Sequence, residues 1–427
     1  MLNERFELRD SGCSNSVESE KAPRHRWYLI KEAFSPRIVE AAIKSAAGNR
    51  ISRLIDPFCG SGTVPLVAAQ RGLSSIGFEV NPFLAFVAKA KLARARHTTL
   101  ARHESSILRA VETGAPSPLE KFSTFSEAGG ARQWLFNAPV LRSFEGGWRA
   151  TTKTHGAVRS LFRLALLGAA MDTCNAVRDG KCLRYRPERL AKLFSRDDFL
   201  KALRTRLGVM REDLENSPIR STDGEIDIGD CRRTLRHLRR RKFQLCVTSP
   251  PYLNSFDYSD VYRPELFLGK FVCDNDSLMT VRLRTFRSHV QAKWDVPSTS
   301  AFGPLYNGVI ELLRGRADLL WNKRLLLMVQ AYFEDMQTVL RRLLLGACDG
   351  AVLWIVVSTS AYAGVEIPVD LIIADVGVRL GWRLREVGVL RDLRTAGQHW
   401  AKWGGPGDRK PVLRESVVIL ERGAGGR

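Results

Sequence analysis

The stretch Leu54-Ile55-Asp56-Pro57-Phe58-Cys59-Gly60-Ser61-Gly62-Thr63 constrains this 427-residue chain more than any other. A short apolar run, Ile51 to Ile55, enters a glycine-rich turn, and a helical pattern follows from Val64 to Arg71. Thr63 suits an N-cap, Pro65 suits a first helical turn, and Gly72 is a natural stop. A strand, a glycine loop and a helix in that order open a doubly wound α/β sheet, whose ligands bind beyond the carboxyl ends of the strands. The next apolar run, Ser74 to Phe78, ends in Glu79. An acid there, about 20 residues past the loop, suits a ribose diol.

Three ligands compete for that crevice. A dinucleotide loop wants a third glycine where Pro65 stands, and a phosphate loop wants a Gly-Lys-Ser/Thr run that is absent. S-adenosylmethionine has no phosphates. It needs close backbone approach, which Gly60 and Gly62 permit, and an acid for its ribose. A second motif sharpens the choice. The apolar run Phe243 to Val247 reads as a buried strand and leads into Thr248-Ser249-Pro250-Pro251-Tyr252. Two prolines stiffen the backbone and remove two N–H donors, so the chain there cannot continue a sheet. Such a strand tip can hold a flat ring on Tyr252 and accept hydrogen bonds from an exocyclic amine.

Asp56 to Thr63 and Thr248 to Tyr252 resemble the cofactor and catalytic motifs of the DNA amino-methyltransferases, which modify N4 of cytosine or N6 of adenine. The resemblance covers roughly residues 25–95, 225–265 and 330–422. It implies a doubly wound, Rossmann-like α/β methyltransferase sheet with a largely helical insertion. It also implies S-adenosyl-L-methionine as cofactor, held by Lys31, Phe34, Ser35, Asp56, Pro57, Phe58, Gly60, Gly62, Thr63, Glu79, Asn81 and Asp230. Ser249, Pro250, Pro251 and Tyr252 are the implied catalytic residues. A serine at the first motif position favours cytosine, since the family's adenine enzymes mostly carry Asp or Asn there. N6-adenine is the alternative, and guanine amines of RNA are a further one. A DNA-binding protein that senses the cofactor without turnover is the reading from another class.

The expected domains are a loose polar tail (1–22), a catalytic core (23–95 and 224–427) with a smaller insertion near 265–323, and an inserted helical region (96–223). With no recognition domain expected after the core, base reading falls to the insertions. Lys181, Arg184, Tyr185 and Arg186 are candidate DNA contacts in the first, Arg284 and Arg287 in the second, and Trp400 is a candidate wall for the target base. A formal charge of +21, from 66 basic against 45 acidic residues, suits a polyanionic partner, here double-stranded DNA. A cognate restriction or defence system is the setting the resemblance allows. No run of about 18 apolar residues marks a membrane span. The expected location is the cytoplasm of a prokaryote, at the nucleoid. Eight scattered cysteines without a Cys-x-x-Cys pair argue against a metal site. Cys59 sits on the cofactor side, and an exocyclic amine needs no enzyme thiol.

Overall fold

A computed structural model describes residues 2–46, 51–127, 132–179, 182–187, 193–221, 223–254, 256–393 and 411–423. Its strands are β1 (Leu2–Asn3), β2 (Arg53–Asp56), β3 (Ser74–Glu79), β4 (Ala176–Asp179), β5 (Cys182–Tyr185) and β6 (Gly224–Ile228). They continue with β7 (Phe243–Thr248), β8 (Ala347–Ser358), β9 (Ser360–Tyr362), β10 (Val365–Ile367), β11 (Trp382–Leu393) and β12 (Leu413–Arg422). Eight of these form one sheet in the order β1-β11-β12-β8-β7-β2-β3-β6. From β6 to β8 all neighbours are parallel, and β12 runs antiparallel to both β8 and β11.

The central strands are apolar along their length because both faces are covered. On one face Leu54, Leu245, Val247 and Trp354 pack against the helices Pro36–Ser45 and Thr63–Arg71. On the other, Ile55, Cys246, Leu353 and Ile355 meet the helices Leu325–Gly346 and Val369–Arg379. This is the expected doubly wound, Rossmann-like sheet. Among the described residues no helix is long and apolar enough to cross a membrane.

The inserted region folds as the helices His97–Thr113, Ala138–Ala150, Gly156–Asp172 and Arg196–Asn216 plus the β4–β5 hairpin. Its core, including Val111, Phe144, Leu166 and Leu203, is continuous with Phe83 and Val87 of the helix Pro82–Lys91 in the sheet layer. The second insertion does not form a unit of its own. Phe267, Val272 and Leu278 join the helical core, whereas Phe286, Phe302 and Tyr306 join the sheet core.

Two expectations are corrected. The N-terminal segment is no loose tail: β1 pairs with β11, Phe6 packs on Trp354 at 6.0 Å between ring centroids, and the Ser35 N–H donates to the Cys13 carbonyl. Further on, the buried carboxylate of Asp213 accepts from the Arg24 N–H (2.7 Å), the Trp27 indole (2.8 Å) and the Arg26 guanidinium (2.6 Å). The segment is therefore a strap from the sheet edge to the helical unit. Its few apolar residues do the anchoring, so polar composition misled the reading. Thr63, expected as N-cap, is instead the first helical residue. Gly62 caps that helix at φ 85°, where an added Cβ would come within 2.8 Å of Ala88 Cβ. The loop turns this tightly because the helix Pro82–Lys91 lies against it.

Candidate functional site

The carboxyl ends of β2, β3, β6 and β7 converge on one cavity of about 390 Å³. Asp56 ends β2, Pro57, Phe58 and Gly60 come from the loop beyond it and Thr63 from the helix start, while Glu79 ends β3 and Asn81 caps the next helix. Asp230 follows β6, and Ser249, Pro250, Pro251 and Tyr252 follow β7. Lys31 and Phe34 close a further side. Two motifs separated by some 190 residues of sequence thus face the same space, as the expected chemistry requires.

The polar chemistry of the cavity centres on two carboxyls. Glu79 accepts from the Gly60 N–H (2.7 Å) and the Asn81 N–H (2.8 Å), which locks the glycine loop to the tip of β3. Asp56 accepts from the Thr248 hydroxyl (2.6 Å) and the Phe58 N–H (3.1 Å), tying the two motifs together. Burial raises both carboxyls, each to about 7. Hydrogen bonds pull against that rise without cancelling it. Burial also pushes the Cys59 thiol well above its usual range, so it offers no thiolate.

The expected residues fit S-adenosylmethionine. Gly60 has φ 52°, and a Cβ built on it meets nothing within 4 Å, leaving backbone open to a ligand. Asn81 caps the helix Pro82–Lys91 through Oδ1, while its buried Nδ2 has no hydrogen-bond partner among the described residues and lines the cavity. An orphaned buried donor costs about 1–3 kcal/mol, which a ligand acceptor would recover. Glu79 and Asp56 would offer acceptors to the ribose hydroxyls and ammonium group of a bound cofactor.

Several expected roles change. Ser35 and Gly62 do not line the cavity. Ser35 caps the helix Pro36–Ser45, accepting from the Arg37 N–H (3.2 Å) and bonding the Glu18 carboxylate. Gly62 serves helix packing, as described above. Asp230 lines the cavity, but its carboxylate pairs with Arg232 at 2.9 Å. Arg287 is not a DNA contact: it is pinned between Glu334 and Asp335, both at 2.6 Å. Arg186 is turned inward, donating to the Cys174 carbonyl (3.0 Å) over the Phe194 ring. Arg184 is exposed on β5, with Tyr185 partly buried beside it, and Arg284 is exposed at the cavity's edge. Lys181 and Trp400 lie outside the described residues.

The structure adds residues that local reading missed. Ser14 and Asn15 of the N-terminal strap line the cavity, as do Tyr258, Tyr262 and Phe286. The hairpin packs behind two lining residues: the Lys31 ammonium donates to the Arg178 carbonyl (2.7 Å), and Arg178 lies over the Tyr262 ring at 4.6 Å while pairing with buried Glu265. On the far side, the Tyr252 hydroxyl donates to Glu415 Oε1 (2.8 Å), and Arg391 Nε donates to Glu415 Oε2 (2.5 Å). Burial, with Glu415 beside it, raises the Tyr252 phenol well above its usual range, so it stays protonated. No local pattern flags Arg391 or Glu415, which reach the site only through the order of strands.

Comparison with known proteins agrees with this geometry. Residues 23–115 match the family model described as UPF0020, an RMKL-like methyltransferase domain. The Type II methyltransferase M.BsoBI of Geobacillus stearothermophilus is 24% identical over 448 residues, covering 93% of this chain and 85% of that protein. The Type II methyltransferase M.AvaI of Nostoc sp. is 22% identical over 393 residues, covering 86% and 81%. Among solved structures, TrmN from Thermus thermophilus superposes on 91% of this chain at 10% identity. The match spans about half (49%) of that protein, and its TM-score of 0.28 carries no argument. Site, family match and relatives agree on a methyltransferase, and S-adenosylmethionine is its methyl donor.

Proposed function

We propose that this chain methylates the exocyclic N4 amine of cytosine in double-stranded DNA, at a specific sequence and on a base turned out of the duplex. One observation carries the reading: the Ser249–Tyr252 tip and the Asp56–Glu79 cofactor residues open into the same cavity. An exocyclic amine is a poor nucleophile because its lone pair is delocalised into the ring. The Ser249 hydroxyl and the Pro250 carbonyl accept its two hydrogens and favour a tetrahedral nitrogen. Tyr252 offers the ring a flat face, and its hydroxyl bond to Glu415 fixes the tyrosine in place. Bound cofactor supplies an electrophilic methyl on a sulfonium, and the protein supplies position and electrostatics. Turning the base out costs a few kcal/mol of stacking, which the aromatic lining offsets in part.

The charge of +21 supports a nucleic-acid partner, and the Type II names of the relatives support DNA and a restriction–modification setting. Recognition is assigned to the helical unit, because its hairpin, carrying Arg184 and Tyr185, touches the cavity-lining Lys31 and Tyr262 through Arg178. The test is tritium transfer from labelled cofactor to genomic DNA, followed by nucleoside digestion and mass spectrometry. N4-methylcytosine is expected. Label found only in N6-methyladenine would overturn the cytosine reading, and label only in RNA would overturn the DNA reading.

A further inference from the structure

We propose that Arg391, held by Glu415, reads the target base by donating from its terminal nitrogens to ring acceptors N3 and O2 of cytosine. The inference rests on the cytosine reading above and names the group that enforces it.

The argument begins with what the target base presents. Once Ser249 and Pro250 have taken the amine hydrogens, the rest of cytosine's pairing edge is two adjacent acceptors, N3 and O2. That edge needs donors. The edge of adenine beyond its amine is one acceptor, N1, followed by a C–H. A fork of donors therefore separates the two bases.

Arg391 is built to be such a fork. It lies near the end of β11 and lines the cavity together with Glu415 and Tyr252. A register shift between Val389 and Arg391 interrupts the ladder with β12 just before it. Bulges of this kind re-aim a side chain beside active sites. Arg391 and Glu415 are direct cross-strand partners. The Glu415 side chain is 5% exposed, and its two oxygens are divided between the Tyr252 hydroxyl and Arg391 Nε. One buried carboxylate thus fixes both the stacking tyrosine and the guanidinium. Because only Nε is used, Nη1 and Nη2 keep their N–H groups, with no hydrogen bond among the described residues. Arg391 remains 36% exposed and lines the cavity. Glu415 is in this scheme a positioning residue and Arg391 the group in contact with the base.

Two duplexes test the idea, each carrying the sequence found by modified-base sequencing of DNA from expressing cells. One has cytosine at the target position and the other has 3-deazacytosine, which replaces N3 by C–H. Wild type should lose about tenfold or more in kcat on the analogue. Arg391→Met should show a similar loss on ordinary cytosine and no further loss on the analogue, with cofactor affinity by calorimetry unchanged. Arg391→Lys keeps the charge beside Glu415 but loses the fork, and it serves for the same comparison if the methionine variant does not fold. If the analogue costs the variant as much as it costs wild type, or costs wild type nothing, Arg391 does not touch that edge. The cytosine reading fails separately, by N6-methyladenine appearing as the wild-type product.

Discussion

Cofactor binding should tighten as pH rises through about 7, and Glu79 should be the main cause. In the ligand-free protein burial holds the Glu79 carboxyl at about 7, and Asp56, its neighbour across the loop, at about 7 as well. S-adenosylmethionine brings a sulfonium charge and ribose hydroxyls that donate hydrogen bonds. Both favour ionised carboxylates, so a proton must leave when the cofactor binds. One unit below its pKa only about a tenth of Glu79 is ionised, and apparent affinity is about tenfold weaker than at the alkaline plateau. Because the two carboxyls interact, they titrate as a pair, and the release should approach one to two protons near about pH 6 and fall away by about pH 8. Isothermal calorimetry in buffers of different ionisation enthalpy reads that number directly.

Glu79→Gln removes the titration and one of the two acceptors that hold the Gly60 and Asn81 N–H groups. A hydrogen bond to a charged group is worth about 1.5–3 kcal/mol, which is about ten- to hundredfold in affinity. The variant should bind that much more weakly near pH 8 and show a flatter pH profile. For the ligand-free fold the sign is opposite. A carboxyl raised from 4.5 to about 7 contributes most to stability below 4.5, and that contribution is lost as pH climbs toward 7. Glu79→Gln should lack that part of the decline in Tm. A folded Glu79→Gln protein that binds like wild type, or wild-type affinity that is equal at about pH 6 and 8, would refute the reasoning.

Ser249→Ala and Tyr252→Ala should leave cofactor affinity nearly intact and cut methyl transfer by orders of magnitude; wild-type turnover in either, measured with tritiated cofactor, removes the β7 tip from the chemistry. Asp335→Ala should cost about 1.5–3 kcal/mol in denaturant unfolding, because it removes one of the two carboxylates that hold each of Arg232 and Arg287. Arg184→Ala should alter DNA binding where Arg287→Ala destabilises the fold. A lost base contact would relax one position of the site, and a lost phosphate contact would lower the salt slope by about one. Unchanged DNA binding in Arg184→Ala would shift recognition to the Arg284 side.

What could be read in advance was whatever short-range chemistry encodes. The β2 loop and the β7 tip declare themselves because prolines, glycines and a strand-end acid sit within a few residues of each other. The misreadings share one cause, partners distant in sequence. Arg287 looked like a free basic side chain, and only the fold brings Asp335 to it, 48 positions away. The tail looked loose because its partners, β11 and Trp354, lie more than 340 positions on. Arg391 and Glu415 were invisible for the same reason: a strand that enters from the end of the chain joins the sheet beside β8 and delivers a carboxylate to a tyrosine 163 positions earlier.

The same long-range pairing changes what the net charge means. A formal +21 suggests a surface ready for phosphates, yet many arginines are committed elsewhere. Arg178, Arg232, Arg282 and Arg414 each pair with a buried or nearly buried carboxylate and are themselves largely covered. These groups hold the fold, including the walls of the cavity, and they give nothing to counterion release. Arg178 shows the point most clearly. It sits in the hairpin nearest the cavity, where a DNA contact would be expected, but it is spent on Glu265 and the Tyr262 ring. Exposure rather than formal charge is what makes Arg184, on β5, the arginine proposed above for DNA.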